Sequence, residues 1–274
     1  MTDLYAVIGN PIGHTKSPLI HLTFARETGQ HIEYIAIEAP IGGFNARVDE
    51  LRLRGGLGLN ITAPFKLDAF AYATELSEDA KLAGAVNCLG FEGDRVTGQN
   101  YDGVGLVNDI VCNLRCPIEG KRVLMLGAGG AVRGALLPFL AERPEQLVLV
   151  NRTVDKARSL AGEIAAHGAV QAAGYDALQQ LGPFDLVLNA TSASVHGEGL
   201  PIPAASFASG CLAYDLAYGK GLTPFLRLAR EAGVRQVADG VGMLVEQAAE
   251  AFAWWRGVRP DTRAVIERLT VPLT

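Results

Sequence analysis

The chain has 274 residues, 49% apolar and 19% charged, a balance that supports a buried core and excludes a disordered or fibrous polypeptide. Its 24 Lys and Arg stand against 29 Asp and Glu, a formal charge of −5 without a long basic run, which argues against nucleic acid or anionic lipid as a partner. The length, with 32 Gly and 13 Pro to make turns, favours two modest domains over one.

Met1-Thr2-Asp3-Leu4-Tyr5 has no basic leader pattern, and no run approaches the ~18 uncharged apolar residues of a membrane span, so a cytoplasmic location without membrane contact is expected. From Tyr5 onward, short apolar runs alternate with helical patterns: Tyr5 to Ile8 then Leu19 to Glu27, Tyr34 to Ile37 then Phe44 to Arg54, Leu57 to Ile61 then Phe65 to Thr74. That alternation predicts βαβ units and a sheet with parallel strands. Phe91 to Asn100 reads as a hairpin and loop, followed by a helix from about Val104 to Leu114. In the second half, Arg122 to Leu126, Leu147 to Val150, Leu186 to Asn189 and Leu212 to Leu216 are continuous apolar runs, as strands buried on both faces require. Helical segments such as Val132 to Leu140 and Lys156 to His167 separate them, and Gly240 to Thr274 is helical in pattern with adjacent Trp254 and Trp255. The cysteines Cys88, Cys112, Cys116 and Cys211 lack zinc-site spacing and read as buried or incidental thiols, so no metal is expected.

Leu124-Met-Leu-Gly127-Ala-Gly129-Gly130-Ala131-Val132 sets glycines at the end of a strand and the start of a helix, where backbone amides and the helix dipole can hold a dinucleotide pyrophosphate. An ordinary glycine-rich turn is the competing reading, since the third position of the pattern is Val132. The next strand delivers Asn151-Arg152-Thr153, where NAD-specific proteins carry an acid for the ribose. Arg152 can pair with a 2′-phosphate, with Lys156 and Arg158 adding charge, so NADP is expected over NAD. A solvated helix start would account for the same charges, and Asp155 leaves a ribose contact open.

Three first-half segments place polar residues at a helix start just after a strand: Gly9 to Pro18, with Ser17 as N-cap and Pro18 at N1, Asn60 to Lys66, and Gln99 to Gly103. Together with Asn87 they offer the hydroxyls of Thr15, Ser17 and Thr62, the amides of Asn60, Asn87 and Gln99, one cation and one carboxylate. That set suits a small, polyhydroxylated, anionic molecule. Lys66 facing Asp102 could protonate a ketone oxygen as hydride arrives and take the proton back in reverse; a surface lysine and a helix-capping aspartate are the alternative.

The segments Gly9-Asn-Pro-Ile-Gly-His-Thr-Lys-Ser-Pro18, Asn60-Ile-Thr-Ala-Pro-Phe-Lys66, Ala83-Gly-Ala-Val-Asn87, Asn100-Tyr-Asp-Gly103, Gly127-Ala-Gly-Gly-Ala131, Asn151-Arg-Thr153, Asn189-Ala-Thr-Ser192, Tyr214-Asp-Leu-Ala-Tyr218 and Ala238-Asp-Gly-Val-Gly-Met-Leu244 together resemble the shikimate dehydrogenase family, in its order and nearly end to end. The resemblance implies two α/β domains, a substrate domain of residues 1–103 plus 240–274 and a Rossmann-type NADP-binding domain of residues 104–239, with the active site in the cleft between them. It implies NADP-linked interconversion of 3-dehydroshikimate and shikimate, a step toward chorismate and the aromatic amino acids. By similarity Lys66 and Asp102 are the catalytic pair. Thr15, Ser17 and Tyr218 fall on the family's carboxylate contacts, and Asn60, Thr62, Asn87, Asp102 and Gln247 on its ring-hydroxyl contacts. Cofactor positions fall on Gly127, Ala128, Gly129, Gly130, Ala131, Asn151, Arg152, Thr153, Lys156, Thr191, Leu216, Gly240 and Met243.

Four departures bear on specificity. Thr15 stands for the usual Ser, Tyr101 for a small Thr beside Asp102, Lys156 for a frequent Arg, and Thr191-Ser-Ala-Ser194 for Thr-Ser-Ser-Gly. An NAD-dependent quinate/shikimate dehydrogenase is the alternative within the enzyme class, and a non-catalytic NADP-sensing module the alternative outside it. The sequence does not give the oligomeric state, and a monomer or homodimer is expected.

Overall fold

A computed structural model describes residues 2–273. The chain divides into two compact units, Met1–Gly105 with Val245–Val265, and Leu106–Leu244 with Ile266–Thr274. Among the described residues no helix is long and apolar enough to cross a membrane.

The first unit holds strands β1 (Asp3–Gly9), β2 (Ile32–Glu38), β3 (Gly56–Ile61), β4 (Glu75–Leu76), β5 (Cys88–Glu92) and β6 (Arg95–Gln99), in the order β2-β1-β3-β5-β6-β4. All pair in parallel except β5, which is antiparallel to both neighbours. The exception follows from the expected hairpin: Glu92 pairs with Arg95 across a two-residue turn whose first residue, Gly93, has φ of +58°. Along β1, Leu4, Ala6 and Ile8 join one core with Phe44, Val48, Leu51 and Phe65, while Tyr5 and Val7 face Ile12, Tyr34 and Trp255 on the other side. Burial on both faces explains why β1 reads as a continuous apolar run. The two tryptophans lie against strand glycines: a Cβ at Gly58 would come within 2.5 Å of Trp255, and one at Gly90 within 2.7 Å of Trp254.

The second unit is a six-stranded, wholly parallel sheet of β7 (Arg122–Leu126), β8 (Gln146–Val150), β9 (Gln171–Ala173), β10 (Phe184–Asn189), β11 (Phe207–Asp215) and β12 (Gln236–Asp239). Its order, β12-β11-β10-β7-β8-β9, is that of a doubly wound Rossmann sheet, with the topological switch point between β7 and β10.

The division differs from the expected one at three places, the first being that residues 104 and 105 fall with the first unit. Residues 240–244 fall with the second unit because Gly240 is packed on Leu216, whose carbonyl oxygen a Cβ there would approach to 2.3 Å. The last residues follow because Leu273 packs on that unit's core. The helix that opens at Val241 and ends at Arg256 therefore begins in one unit and ends in the other.

Candidate active site

In the first unit the loops after β1, β3 and β6 and the start of β5 lie at one end of the sheet, since β1, β3 and β6 run in one direction and β5 in the other. Asn87 is held there by its backbone, its N–H donating to Gln99 and its carbonyl accepting from Ile61. The helix Lys66–Tyr72 begins on Lys66, with Phe65 as the N-cap residue. Ser17 opens its helix as the first residue, with Lys16 at the cap and no side-chain cap bond, so the expected Ser17 cap is displaced by one position. The Ser17 hydroxyl instead accepts from Thr15 Oγ1 at 3.2 Å, pairing the two hydroxyls.

Lys66 Nζ donates to Asp102 Oδ2 at 2.6 Å, and Asn87 Nδ2 donates to Asp102 Oδ1 at 2.9 Å. Both carboxylate oxygens are thus fixed while the lysine side chain stays 35% exposed, so its ammonium is held in direction yet open to a ligand. Asn87 Oδ1 accepts from the Tyr101 N–H at 2.9 Å, and Asn87 Nδ2 also reaches Gln247 Oε1 at 3.4 Å. One asparagine therefore ties the Asp102 carboxylate to the C-terminal helix. The Tyr101 ring meets Trp254 edge-on at 6.3 Å, so its bulk coexists with the intact Lys66–Asp102 pair. Thr62 packs its methyl where a Cβ on Gly9 would stand, 2.5 Å away. Tyr218 lies in the second unit, 46% exposed.

Sequence reasoning missed the support behind this wall. Tyr34 on β2 donates its phenol proton to Asn60 Oδ1 at 2.6 Å, and the His21 ring stacks on Tyr34 at 4.3 Å with an 8° interplanar angle. No local signal marks either residue, because each reads as part of an apolar face. His21 is fully buried, neither ring nitrogen has a hydrogen-bond partner, and burial lowers its pKa to about 3, partly offset by nearby Asn60. The imidazole is neutral in the folded protein at pH 5, whereas the unfolded chain takes up the proton near pH 6.5. The unfolded state binds more protons below that point, so stability falls as pH drops from about 6.5 toward 3. His21→Phe keeps the stacked ring and removes the titration. Urea unfolding at pH 7 and pH 5 is expected to show the parent losing about 2 kcal/mol more than the variant, and equal losses would refute it.

In the second unit a cavity of about 590 Å³ lies at the switch point, lined by Gly127, Ala128, Gly129, Asn151, Arg152 and Thr191 among the expected cofactor residues, and also by Tyr175, Ser192, His196 and Glu198. Gly130, Ala131, Thr153, Lys156, Leu216, Gly240 and Met243 lie outside that lining. Gly127 adopts φ of +117°, which only glycine takes without strain, and its N–H donates to Val150. A Cβ at Gly129 or Gly130 would meet nothing within 4 Å, so the turn and the start of the helix Gly130–Ala141 present bare backbone. Those unblocked amides fit a pyrophosphate. Arg152 is exposed beside Tyr175, whose phenol burial pushes up and the arginine pulls back down. Thr191 is set by Asn189 Oδ1, which accepts from its N–H and, at 2.7 Å, from its hydroxyl. Asn189 in turn donates to buried Asp215, which also accepts from Ser194 and Thr223, so Ser194 serves a buried network.

Solved structures share this fold. The chain is 58% identical to the crystal structure of an Ael1 enzyme from Pseudomonas putida, with a TM-score of 0.95 covering 100% of both chains. It is 31% identical to a shikimate 5-dehydrogenase from Thermus thermophilus solved with NADP(H) and shikimate, with a TM-score of 0.83 covering 97% of this chain and 98% of that one. A doubly wound unit with an open glycine turn, joined to a unit carrying a lysine–aspartate pair, defines a nicotinamide-dependent oxidoreductase of the α/β class. The sequence matches the family models described as shikimate dehydrogenase substrate binding domain over residues 7–89, shikimate / quinate 5-dehydrogenase over residues 111–196 and shikimate 5'-dehydrogenase C-terminal domain over residues 240–270. With 56% identity to the shikimate dehydrogenase (NADP(+)) of Chromobacterium violaceum over 98% of both chains, it belongs to the shikimate dehydrogenase family.

Proposed function

We propose that the chain is an NADP-dependent shikimate dehydrogenase, reducing 3-dehydroshikimate reversibly to shikimate. The observation that carries this reading is the Lys66–Asp102 pair at 2.6 Å, with both carboxylate oxygens engaged and the lysine partly open. When bound, NADPH supplies the hydride. Lys66 Nζ gives a proton to the carbonyl oxygen of the substrate and takes it back in the oxidation direction. Asp102 holds the ammonium in line, and Asn87 keeps the carboxylate from turning away. Ser17, which accepts from Thr15, offers its own hydroxyl proton to the substrate carboxylate, and Thr15 orients it and can turn its proton to the same group, with Tyr218 as a further contact. Asn60, Thr62 and Gln247 contact the ring hydroxyls. Residues 1–105 with 245–265 serve as the substrate domain, and the second unit as the nucleotide domain.

For the cofactor, the bare amides from Gly127 to Ala131 would take the pyrophosphate, and Arg152 the 2′-phosphate, aided by Lys156. Asn151 Nδ2 donates to the Thr153 carbonyl at 2.9 Å, which shapes the turn that carries Arg152. Thr191, Leu216, Gly240 and Met243 complete the proposed nucleotide contacts. On this reading the enzyme works in the cytoplasm on small molecules, as a monomer or a homodimer.

Initial rates with shikimate or quinate, each paired with NADP or NAD, test the assignment. Shikimate with NADP is expected to give the highest kcat/KM, and a faster quinate or NAD pairing would overturn the substrate or cofactor choice. Arg152→Ala is expected to raise KM for NADP by about 10- to 100-fold, a loss of about 1.5 to 3 kcal/mol for a charge-assisted contact, with KM for NAD changed less than twofold. Equal changes for both cofactors would remove Arg152 from 2′-phosphate recognition.

A further inference from the structure

Asn60, a proposed substrate contact, is the penultimate residue of β3. What holds its side chain is a residue outside the proposed contact set. Tyr34 sits on β2, one strand beyond β1 from Asn60. Val7 of β1 pairs with Asn60 on one side and Ala36 on the other, which puts Tyr34, two residues before Ala36, on the same sheet face as Asn60. The tyrosine side chain therefore reaches diagonally across Val7 to close its 2.6 Å bond on Asn60 Oδ1.

The phenol has one proton, and it is donated to Asn60 Oδ1. The ring is locked from behind: His21 stacks on it, and Phe24, Phe252 and Trp255 surround His21. A 5% exposed tyrosine clamped in this way is a fixed point against which the Asn60 side chain is set.

We infer that Tyr34 is a positioning residue for substrate binding, its hydroxyl setting the Asn60 side chain near the end of β3. The inference rests on the proposed shikimate site. It goes beyond that reading in giving a residue behind the site a specific task, to hold a ring-hydroxyl contact in one orientation. Without the hydroxyl, Asn60 loses the partner of its buried oxygen, and its amide is free to turn.

Tyr34→Phe removes one oxygen and keeps the ring, its stacking on His21 and its packing. The expected result in the shikimate assay is a rise in KM for shikimate of about tenfold, the equivalent of about 1.4 kcal/mol. Because the contacts involved are made equally before and during the reaction, kcat is expected to stay within twofold, as is KM for NADP. In an Asn60→Ala background the same change is expected to add less than twofold, since its effect travels through Asn60. A KM for shikimate that stays within twofold, a parallel rise in KM for NADP, or full additivity with Asn60→Ala would each overturn the inference. Parent protein that fails to turn over shikimate would instead overturn the proposed function, so the two failures are distinct.

Discussion

Lys66→Ala is expected to lower kcat by about 10²- to 10⁴-fold, the usual contribution of a positioned proton donor, while KM for NADP stays within twofold. The expectation follows from the pair geometry. Lys66 Nζ lies 2.6 Å from Asp102 Oδ2, and Asn87 secures the other oxygen, so the lysine ammonium is held in one orientation, as the proposed proton donor must be. Lys66 is absent from the residues lining the nucleotide cavity, which is why cofactor affinity is expected to survive. Removing the ammonium also leaves Asp102 with Asn87 as its remaining side-chain partner, and the uncompensated carboxylate then faces an anionic substrate. KM for shikimate is therefore expected to rise as well. Steady-state kinetics with a cofactor-binding titration separates these effects, and an unchanged kcat would remove Lys66 from the mechanism.

Gly242→Ala is expected to destabilise the protein by more than ~3 kcal/mol, read as a lower urea midpoint at unchanged slope. A Cβ at Gly242 would stand 1.9 Å from Asp109 Oδ1, which real structures do not allow. The carboxylate cannot swing aside at small cost. It is buried, accepts the Tyr214 phenol proton at 2.8 Å and the Asn113 amide at 3.0 Å, and burial beside it pushes the Tyr214 pKa well up. The Tyr214 oxygen in turn accepts from the Met243 N–H at 3.3 Å, so the start of the helix Val241–Arg256 is anchored through this cluster. Gly129→Ala is the contrasting control, because its Cβ would meet nothing within 4 Å. That variant is expected to keep its stability within about 0.5 kcal/mol, as surface changes do, and to bind NADP more weakly where the backbone must approach a phosphate. Equal stability of the two variants would show that the Asp109 cluster yields.

Much of the architecture was legible in local pattern. Strands such as Arg122–Leu126 and Gln146–Val150 are apolar throughout because both faces are covered, and the helices between them carry the longer period. The turn at Gly127 was legible because its positive φ requires glycine, and the choice of NADP because Arg152 replaces an acid at a fixed interval after that turn. These are short-range rules, read within a few tens of residues. The residue types of the chemical site were legible in the same way, as polar groups clustered after strands.

Pairing was a matter for the tertiary structure. Lys66 meets Asp102 across 36 positions, and Asn87 meets Gln247 across 160. Neither separation carries a periodic signal, and both contacts exist because β3, β5 and β6 are neighbours and a C-terminal helix returns to the first unit. The unit boundary at 244 and 245 was hidden because the helix Val241–Arg256 runs through it without a break. Tyr34 and His21 were hidden for a further reason: on β2 and on the helix Ser17–Glu27 they read as core residues, and only strand order brings the Tyr34 hydroxyl over Val7 to Asn60. Sequence by itself determined the elements and the chemistry they could carry, because propensity and periodicity act locally. Which polar atoms share a proton was decided by packing, because a hydrogen bond depends on distances of about 3 Å that only the folded chain sets.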